Sequence, residues 1–168
     1  MKVLVIQGSP REKSRTGILA NLAFKNAKKG NEVKMIDLSL GNVDVFAGKA
    51  FGKETKNALD LIYWADVLIV CTPVYNSMIS SALKNLFEFV DYKKIGGKVS
   101  GFIINASTMK STISVQNQLS GLMNYFGIIS NPKAVFAVEE DFDENGLKNK
   151  NVEDRIRALV ESSSKIKA

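Results

Sequence analysis

Residues 7–16 read QGSPREKSRT and join a hydrophobic run, residues 2–6 (KVLVI), to a segment in which Ile18, Leu19, Leu22, Ala23 and Ala27 recur at helical spacing. The run ahead of this loop has the character of a buried strand closed by a glycine. A strand that empties through Gly-Ser-Pro into a helix start presents free backbone N–H groups and the positive end of a helix dipole. Ser9, Ser14 and Thr16 add hydroxyls, and Arg11, Lys13 and Arg15 add cations. Nothing in the loop is suited to bond-breaking. It is suited to holding a phosphate.

An ordinary βα loop, with capping hydroxyls and solvated cations, is the alternative that this stretch alone leaves open. Sharper competitors fail on the residues. A Walker loop ends in Gly-Lys-Ser/Thr, whereas Gly17 is followed by Ile18. A dinucleotide fingerprint needs three glycines in register, and only Gly8 is so placed. A cysteine-dependent phosphatase loop would need a nucleophilic Cys here, and none is present. A phosphate bound here would be left intact.

The bulk properties narrow the ligand further. The 168 residues are read as one domain, residues 1–168, large enough to bury a sizeable core. No apolar run approaches the ~20 residues of a membrane span, and no signal peptide precedes the first strand, so no membrane partner is expected. The single cysteine, Cys71, cannot form an internal disulfide and suits a reducing cytoplasm. There is no histidine, which removes the commonest general base and metal ligand, and no metal site is expected. A net charge of +6 favours anionic ligands. Nucleic acid is not expected as a partner, because the cations are interleaved with acids and no aromatic-plus-basic platform appears.

Further along, residues 32–38 (EVKMIDL) alternate as a strand with one inward face. Asp37 at its end reads as a helix cap or a solvated acid. Residues 39–53 read as a long loop, which in a compact domain tends to be functional; Phe46 and Phe51 read as its anchors. A helix over 54–64 leads to residues 67–71 (VLIVC), apolar on both faces and therefore central in a parallel sheet. Cys71 belongs to that run and reads as an inert buried thiol. The loop 72–81 (TPVYNSMISS) precedes a helix over 82–91, in which Lys84 and Asn85 read as capping or packing residues. A fourth strand over 99–106, a Ser/Thr-rich loop over 107–111 and a helix over 112–126 follow. The fifth strand is expected at 134–138, then an acidic turn-rich link over 139–149 and a final amphipathic helix over 152–166.

Strands alternating with helices define an α/β fold: a doubly wound, five-stranded parallel sheet with right-handed crossovers and order 2-1-3-4-5. Ligands in such sheets bind beyond the carboxyl ends of the strands, where the winding reverses. The loops opening there are 8–16 and 72–81, with 107–111 beside them. One pocket would then offer an anion hole at one end and an amide-lined, partly apolar surface with Tyr75 at the other. A phosphorylated planar cofactor matches it, flavin mononucleotide (FMN) being the natural candidate.

GSPREKSRT after the first strand and ADVLIVCTPVYNSMISSALKNLFEFV around the third resemble the NAD(P)H-dependent FMN reductases of the flavodoxin-like fold. The family pattern G-S-x-R-x-x-S falls on Gly8, Ser9, Arg11 and Ser14. Its second pattern falls on Ala65, Asp66, Thr72, Pro73, Tyr75, Asn76, Leu83, Lys84 and Asn85. The resemblance runs from Met1 to about Gly127. It implies FMN phosphate on Ser9, Arg11, Ser14, Arg15 and Thr16. The isoalloxazine ring would lie against Pro73, Val74, Tyr75, Asn76 and Ser77 and against the next loop at Ser107 and Thr108. Three departures bear on the ring and the nicotinamide approach: Ser80-Ser81-Ala82 where Pro-Gly is usual, a glycine-free loop at 107–111, and Val74 in place of an acid.

The implied activity is hydride transfer from NAD(P)H to FMN, then electron transfer to a small-molecule acceptor: free flavin, a quinone, an azo compound or a metal oxyanion. No side chain is assigned a catalytic role, since the flavin carries the chemistry. Relatives form homodimers or homotetramers, so a homo-oligomer is implied. A flavodoxin-type electron carrier without NAD(P)H oxidation and a non-catalytic nucleotide-binding domain are the alternatives. The basic charge balance argues against the carrier.

Overall fold

The computed structural model describes residues 1–166. Its frame is a parallel sheet of strands β1 (Lys2–Gln7), β2 (Glu32–Asp37), β3 (Val67–Pro73) and β4 (Val99–Asn105). The order is β2-β1-β3-β4, and the fifth position, beside β4, is shared by two short strands, β5 (Ile129–Ser130) and β6 (Val135–Ala137). The order 2-1-3-4-5 therefore holds, but the fifth strand is in two pieces rather than one run over 134–138. Pro132 has no N–H to give a ladder. Between the pieces the buried Asn131 amide donates instead to the Ser162 and Ser163 hydroxyls, at 2.9 and 3.0 Å.

Strand periodicity sorts the core into two layers. Leu4, Ile6, Leu68, Val70, Phe102 and Ile104 face helices α2 (Lys53–Trp64), α3 (Ser81–Glu88) and α4 (Thr112–Tyr125). Val3, Val5, Val67, Ile69, Cys71 and Ile103 face α1 (Arg15–Ala27) and α5 (Lys150–Ser163). Every position of β3 is buried, as its continuous apolar run requires of a central strand. Burial pushes the Cys71 thiol well above its ordinary pKa.

Helix ends follow their local caps. α3 stops at Glu88, short of residue 91, because the Asp91 carboxylate accepts from the Lys93 N–H at 3.0 Å and opens a separate turn. α5 starts after Asn149, whose side chain accepts from the Asn151 N–H, and ends at Ser163 rather than at residue 166. The acidic link is not structureless. It holds a turn, Glu139–Asp141, and a small antiparallel hairpin, β7 (Phe142–Asp143) with β8 (Gly146–Leu147).

The loop between β2 and α2 is fastened at several points. Asp44 Oδ2 accepts from Thr55 Oγ1 at 2.6 Å and from the Gly52 N–H at 2.8 Å. Asn85 of α3 clamps the same segment, donating to Asp44 O and accepting from the Phe46 N–H, both at 2.8 Å. Phe46 and Phe51 sit edge-on to Phe89 at 5.1 and 5.3 Å, the anchoring role expected of them.

Two predictions follow from this packing. β4 passes under α5 at Gly101, where an added Cβ would lie 2.9 Å from Ser163 Oγ and 3.2 Å from Ile69 Cδ1 and Leu159 Cδ1. Gly101→Ala is expected to cost about 1–3 kcal/mol of stability in urea unfolding, the usual penalty of overpacking. The Thr55 and Gly52 bonds hold the Asp44 carboxyl below the usual carboxylate range. Its folded pKa lies under its unfolded one, so the clamp is complete above about pH 4 and is lost as pH falls through the folded value. Protection of the Gly52 amide, read as its exchange relative to a free peptide at the same pH, should fall there in the wild type, and Asp44→Asn should show the lower protection already at pH 7.

Candidate active site

The loop after β1 is built around a close approach of two backbones. The Gly8 N–H donates to Cys71 O at 2.8 Å, and a Cβ on Gly8 would lie 2.6 Å from that oxygen. Only glycine fits there. From the other side Ser80, the N-cap of α3, donates its hydroxyl to Gly8 O while accepting from the Leu83 N–H. Ser80 stands in one of the departures from the family pattern, and it ties the first loop to the start of α3.

Gln7 braces the loop from within. Its Nε2 donates to Ser9 O at 3.1 Å and to Asp37 Oδ1 at 2.9 Å, and its Oε1 accepts from the Ser9 N–H. Asp37 also accepts from the Ser39 N–H and hydroxyl, so it is a cap, as its position suggested. Gln7 carried no signal in the sequence beyond ending an apolar strand.

Ser9 is fully buried, and its Oγ accepts from the Arg11 N–H at 3.2 Å. Ser14 caps α1 by accepting from the Gly17 N–H at 3.0 Å. The Arg15 and Thr16 N–H groups, in the first turn, have no helical partner. Ser9, Arg11, Lys13, Ser14, Arg15 and Thr16 line one cavity of about 330 Å³ together with Pro73, Val74, Tyr75, Asn105, Ala106 and Ser107. That volume is at the small end of ordinary ligand pockets. The three cations differ. Arg15 Nη2 pairs with Glu139 Oε1 at 2.6 Å, and its guanidinium lies 5.6 Å from the Phe142 ring. Arg11 and Lys13 have no carboxylate partner among the described residues.

The loop after β3 forms a two-residue turn. Tyr75 and Met78 exchange backbone bonds at 3.0 and 2.9 Å, with Asn76 and Ser77 between them at φ 51° and 62°. Two successive left-handed residues mark a type I′ turn, which glycine usually supplies. Ser77 in that region costs of order 1–2 kcal/mol, so the surroundings must hold it. Among the described residues the Asn76 and Ser77 N–H groups have no protein partner. The Arg11 guanidinium lies 5.5 Å from the Tyr75 ring, a cation–π distance.

Arg11, Val74 and Tyr75 are also the wall of a second, wider groove of about 880 Å³, floored by Met78, Ile79 and Leu122 and edged by Lys84 and Gln118. Asn76 lines this groove and not the smaller cavity. Ser77 lines neither; its Oγ is 2.8 Å from Ser111 Oγ. Thr108 lies outside both, in the exposed loop beyond Ser107. Lys84 pairs with Glu88 along α3.

The donor set suits a phosphate monoester: a helix N-terminus with free amides, hydroxyls at Ser9, Ser14 and Thr16, and two uncommitted cations. It opens toward an aromatic and amide-bearing turn, at the carboxyl ends of β1 and β3, where a doubly wound sheet binds its ligand. These features define a flavodoxin-like α/β protein with the donor set of a phosphate site at its switch point. More specifically, the model of the NADPH-dependent FMN reductase family matches residues 1–143, and the chain belongs to that family of NAD(P)H-dependent enzymes. It is 28% identical over 167 residues to an NAD(P)H-dependent FAD/FMN reductase of Geobacillus thermodenitrificans, covering 95% of this chain and 90% of that protein. It is 26% identical to an FMN reductase (NADPH) of Pseudomonas aeruginosa, with coverages of 97% and 90%. The fold is similar to that of the apo form of the NADH:FMN oxidoreductase EMOB, with a TM-score of 0.85 at 19% identity over 99% of this chain and 90% of the other.

Ser80→Ala should lower stability by about 1–2 kcal/mol, the scale of a lost N-cap. Because Gly8 O loses its donor too, the loss should exceed that of Ser14→Ala when both are measured by urea unfolding.

Proposed function

We propose that the smaller cavity receives the FMN phosphate through Ser9, Arg11, Ser14, Arg15 and Thr16. The ring then lies along Pro73, Val74, Tyr75, Asn76 and Ser77, with Ser107 and Thr108 closing its edge. The observation that supports this reading is one cavity lined both by a phosphate-type donor set and by Pro73, Val74 and Tyr75, the residues that lead into the turn with unpartnered amides. Arg15 contributes through its backbone N–H, since its guanidinium is engaged by Glu139. Arg11 and Lys13 supply the charge. When bound, the flavin accepts a hydride from NAD(P)H and passes electrons onward.

The chain's own residues bind and orient. Charge-assisted hydrogen bonds contribute roughly 1.5–3 kcal/mol each, so three or four of them reach the ~8 kcal/mol of micromolar affinity. With the ring along this turn, the Asn76 N–H, on the wider groove, and the adjoining Ser77 N–H would stabilise negative charge on it, the role of preorganised dipoles. The wider groove, with Arg11 and Lys84 at its edge, suits the anionic nicotinamide dinucleotide approaching the ring's open face. The terminal acceptor in this reading is a small molecule: free flavin, a quinone, an azo compound or a metal oxyanion. Self-association into a homodimer or homotetramer is supported by the uncharged stretch 111–132, which leaves Ile113 and Tyr125 exposed on α4.

Arg11→Ala is expected to weaken FMN binding about tenfold or more, on the per-bond scale above, and to leave riboflavin binding unaffected. Fluorescence titration reads both, and equal FMN affinity in the two proteins would overturn the phosphate assignment. The activity is tested by an anaerobic absorbance spectrum of protein with FMN, followed by NADPH and then NADH. Bleaching of the flavin band supports the reductase. FMN binding without bleaching by either nucleotide identifies an electron carrier instead.

A further inference from the structure

One side chain of α4 brackets the turn at residues 75–78. Gln118 Nε2 donates to Ser77 O at 3.0 Å and lies 3.2 Å from Met78 Sδ, while its Oε1 accepts from the Ile79 N–H at 3.2 Å. The Ile79 N–H can only donate, which fixes the oxygen end of the amide. Two smaller contacts reinforce the grip: Ser114 Oγ reaches Ser77 O at 3.4 Å, and Ser111 Oγ meets Ser77 Oγ. All three hydroxyl and amide groups come from one helix or its entry. They converge on the residue whose left-handed backbone, φ 62°, has no glycine to relax it.

Without Gln118 the turn loses its bond at the Ile79 N–H and the shorter of the two bonds to Ser77 O, keeping only the Ser111 and Ser114 hydroxyl contacts. The Ser77 carbonyl points at α4, so its orientation sets the tilt of the adjoining peptides, including the unpartnered Asn76 and Ser77 N–H groups. We infer that Gln118 is a positioning residue for the redox site: it holds the 75–79 turn in its left-handed form and thereby fixes the amides that favour the reduced flavin. The inference rests on the flavin reading given above. It differs from that reading in consequence, because phosphate contacts grip both redox states alike, whereas amides aimed at the ring favour the state carrying negative charge.

Three proteins test it: wild type, Gln118→Ala and Gln118→Leu, the last filling the same space without hydrogen bonds. Exchange of the Ile79 amide, followed by mass spectrometry or NMR without any flavin, should quicken in both variants. With FMN bound, both variants should favour the reduced flavin about tenfold less, which is about 30 mV more negative for a two-electron couple. Oxidised FMN and riboflavin should lose affinity by equal factors, unlike in Arg11→Ala. Gln118→Glu keeps the acceptor for Ile79 but sets a carboxylate against Ser77 O, and its potential should fall at least as far as that of Gln118→Ala. An unchanged potential in a folded variant that still binds FMN overturns the inference while leaving the flavin reading intact. A wild type that binds no FMN overturns the flavin reading, and then the exchange rate of Ile79 alone decides whether Gln118 tethers the turn.

Discussion

The contact between the Gly8 N–H and Cys71 O is the constraint from which the site is assembled. It brings the ends of two neighbouring strands to hydrogen-bond distance at the point where the chain winds to opposite faces of the sheet. A side chain at residue 8 would separate them. With the gap closed, the first loop has no room to fold inward and must arch outward over the strand ends. Ser80 fastens the arch from the helix that follows β3, and Gln7 fastens it from beneath. The loop's polar groups are therefore committed in an orderly way. The Ser9 and Ser14 hydroxyls accept from backbone N–H groups of the loop and of the first turn of α1, while the Arg15 and Thr16 N–H groups have no helical partner.

The charges are divided in the same manner. Arg15 is drawn to Glu139 in the acidic link, where exposure makes the ion pair worth little energetically. Its effect is geometric: it turns one cation aside and leaves Arg11 at the boundary between the smaller cavity and the wider groove. Arg11, beside Tyr75, is thus, among the described residues, the one charged side chain shared by both spaces. A phosphate on one side and an anionic nucleotide on the other would both sense it.

Much of this was legible in the chain itself. The two-faced apolar run of β3 placed it centrally, and the GSP step after β1 marked the loop that opens at the reversal point of the 2-1-3-4-5 order, because strand burial and turn chemistry are local properties. The broken fifth strand was half visible, in Pro132, but the substitute bonds of Asn131 to Ser162 and Ser163 join residues about thirty positions apart and leave no periodic trace. Gln7 and Gln118 escaped notice for the same reason, and Asn85, read as a capping or packing residue of its helix, showed nothing of its clamp on residues 44–46. Each is an unremarkable amide in its own segment, and each matters through a backbone group brought near by the fold. Arg15 was legible as a cation but not as a paired one, since Glu139 lies on the far side of the sheet order. Amide tethers of this kind carry no compositional signature, whereas cations and glycines do.

The sealed Cys71 thiol has a consequence for how the protein responds to acidity. Histidine is the side chain whose ordinary charge change falls between about pH 5 and 8, and this chain has none. Burial carries the lone thiol further from that window. No imidazole charge therefore changes in the field the polypeptide presents. Were a phosphate monoester bound, its second proton, shed near pH 6, would titrate inside the window that histidine leaves vacant.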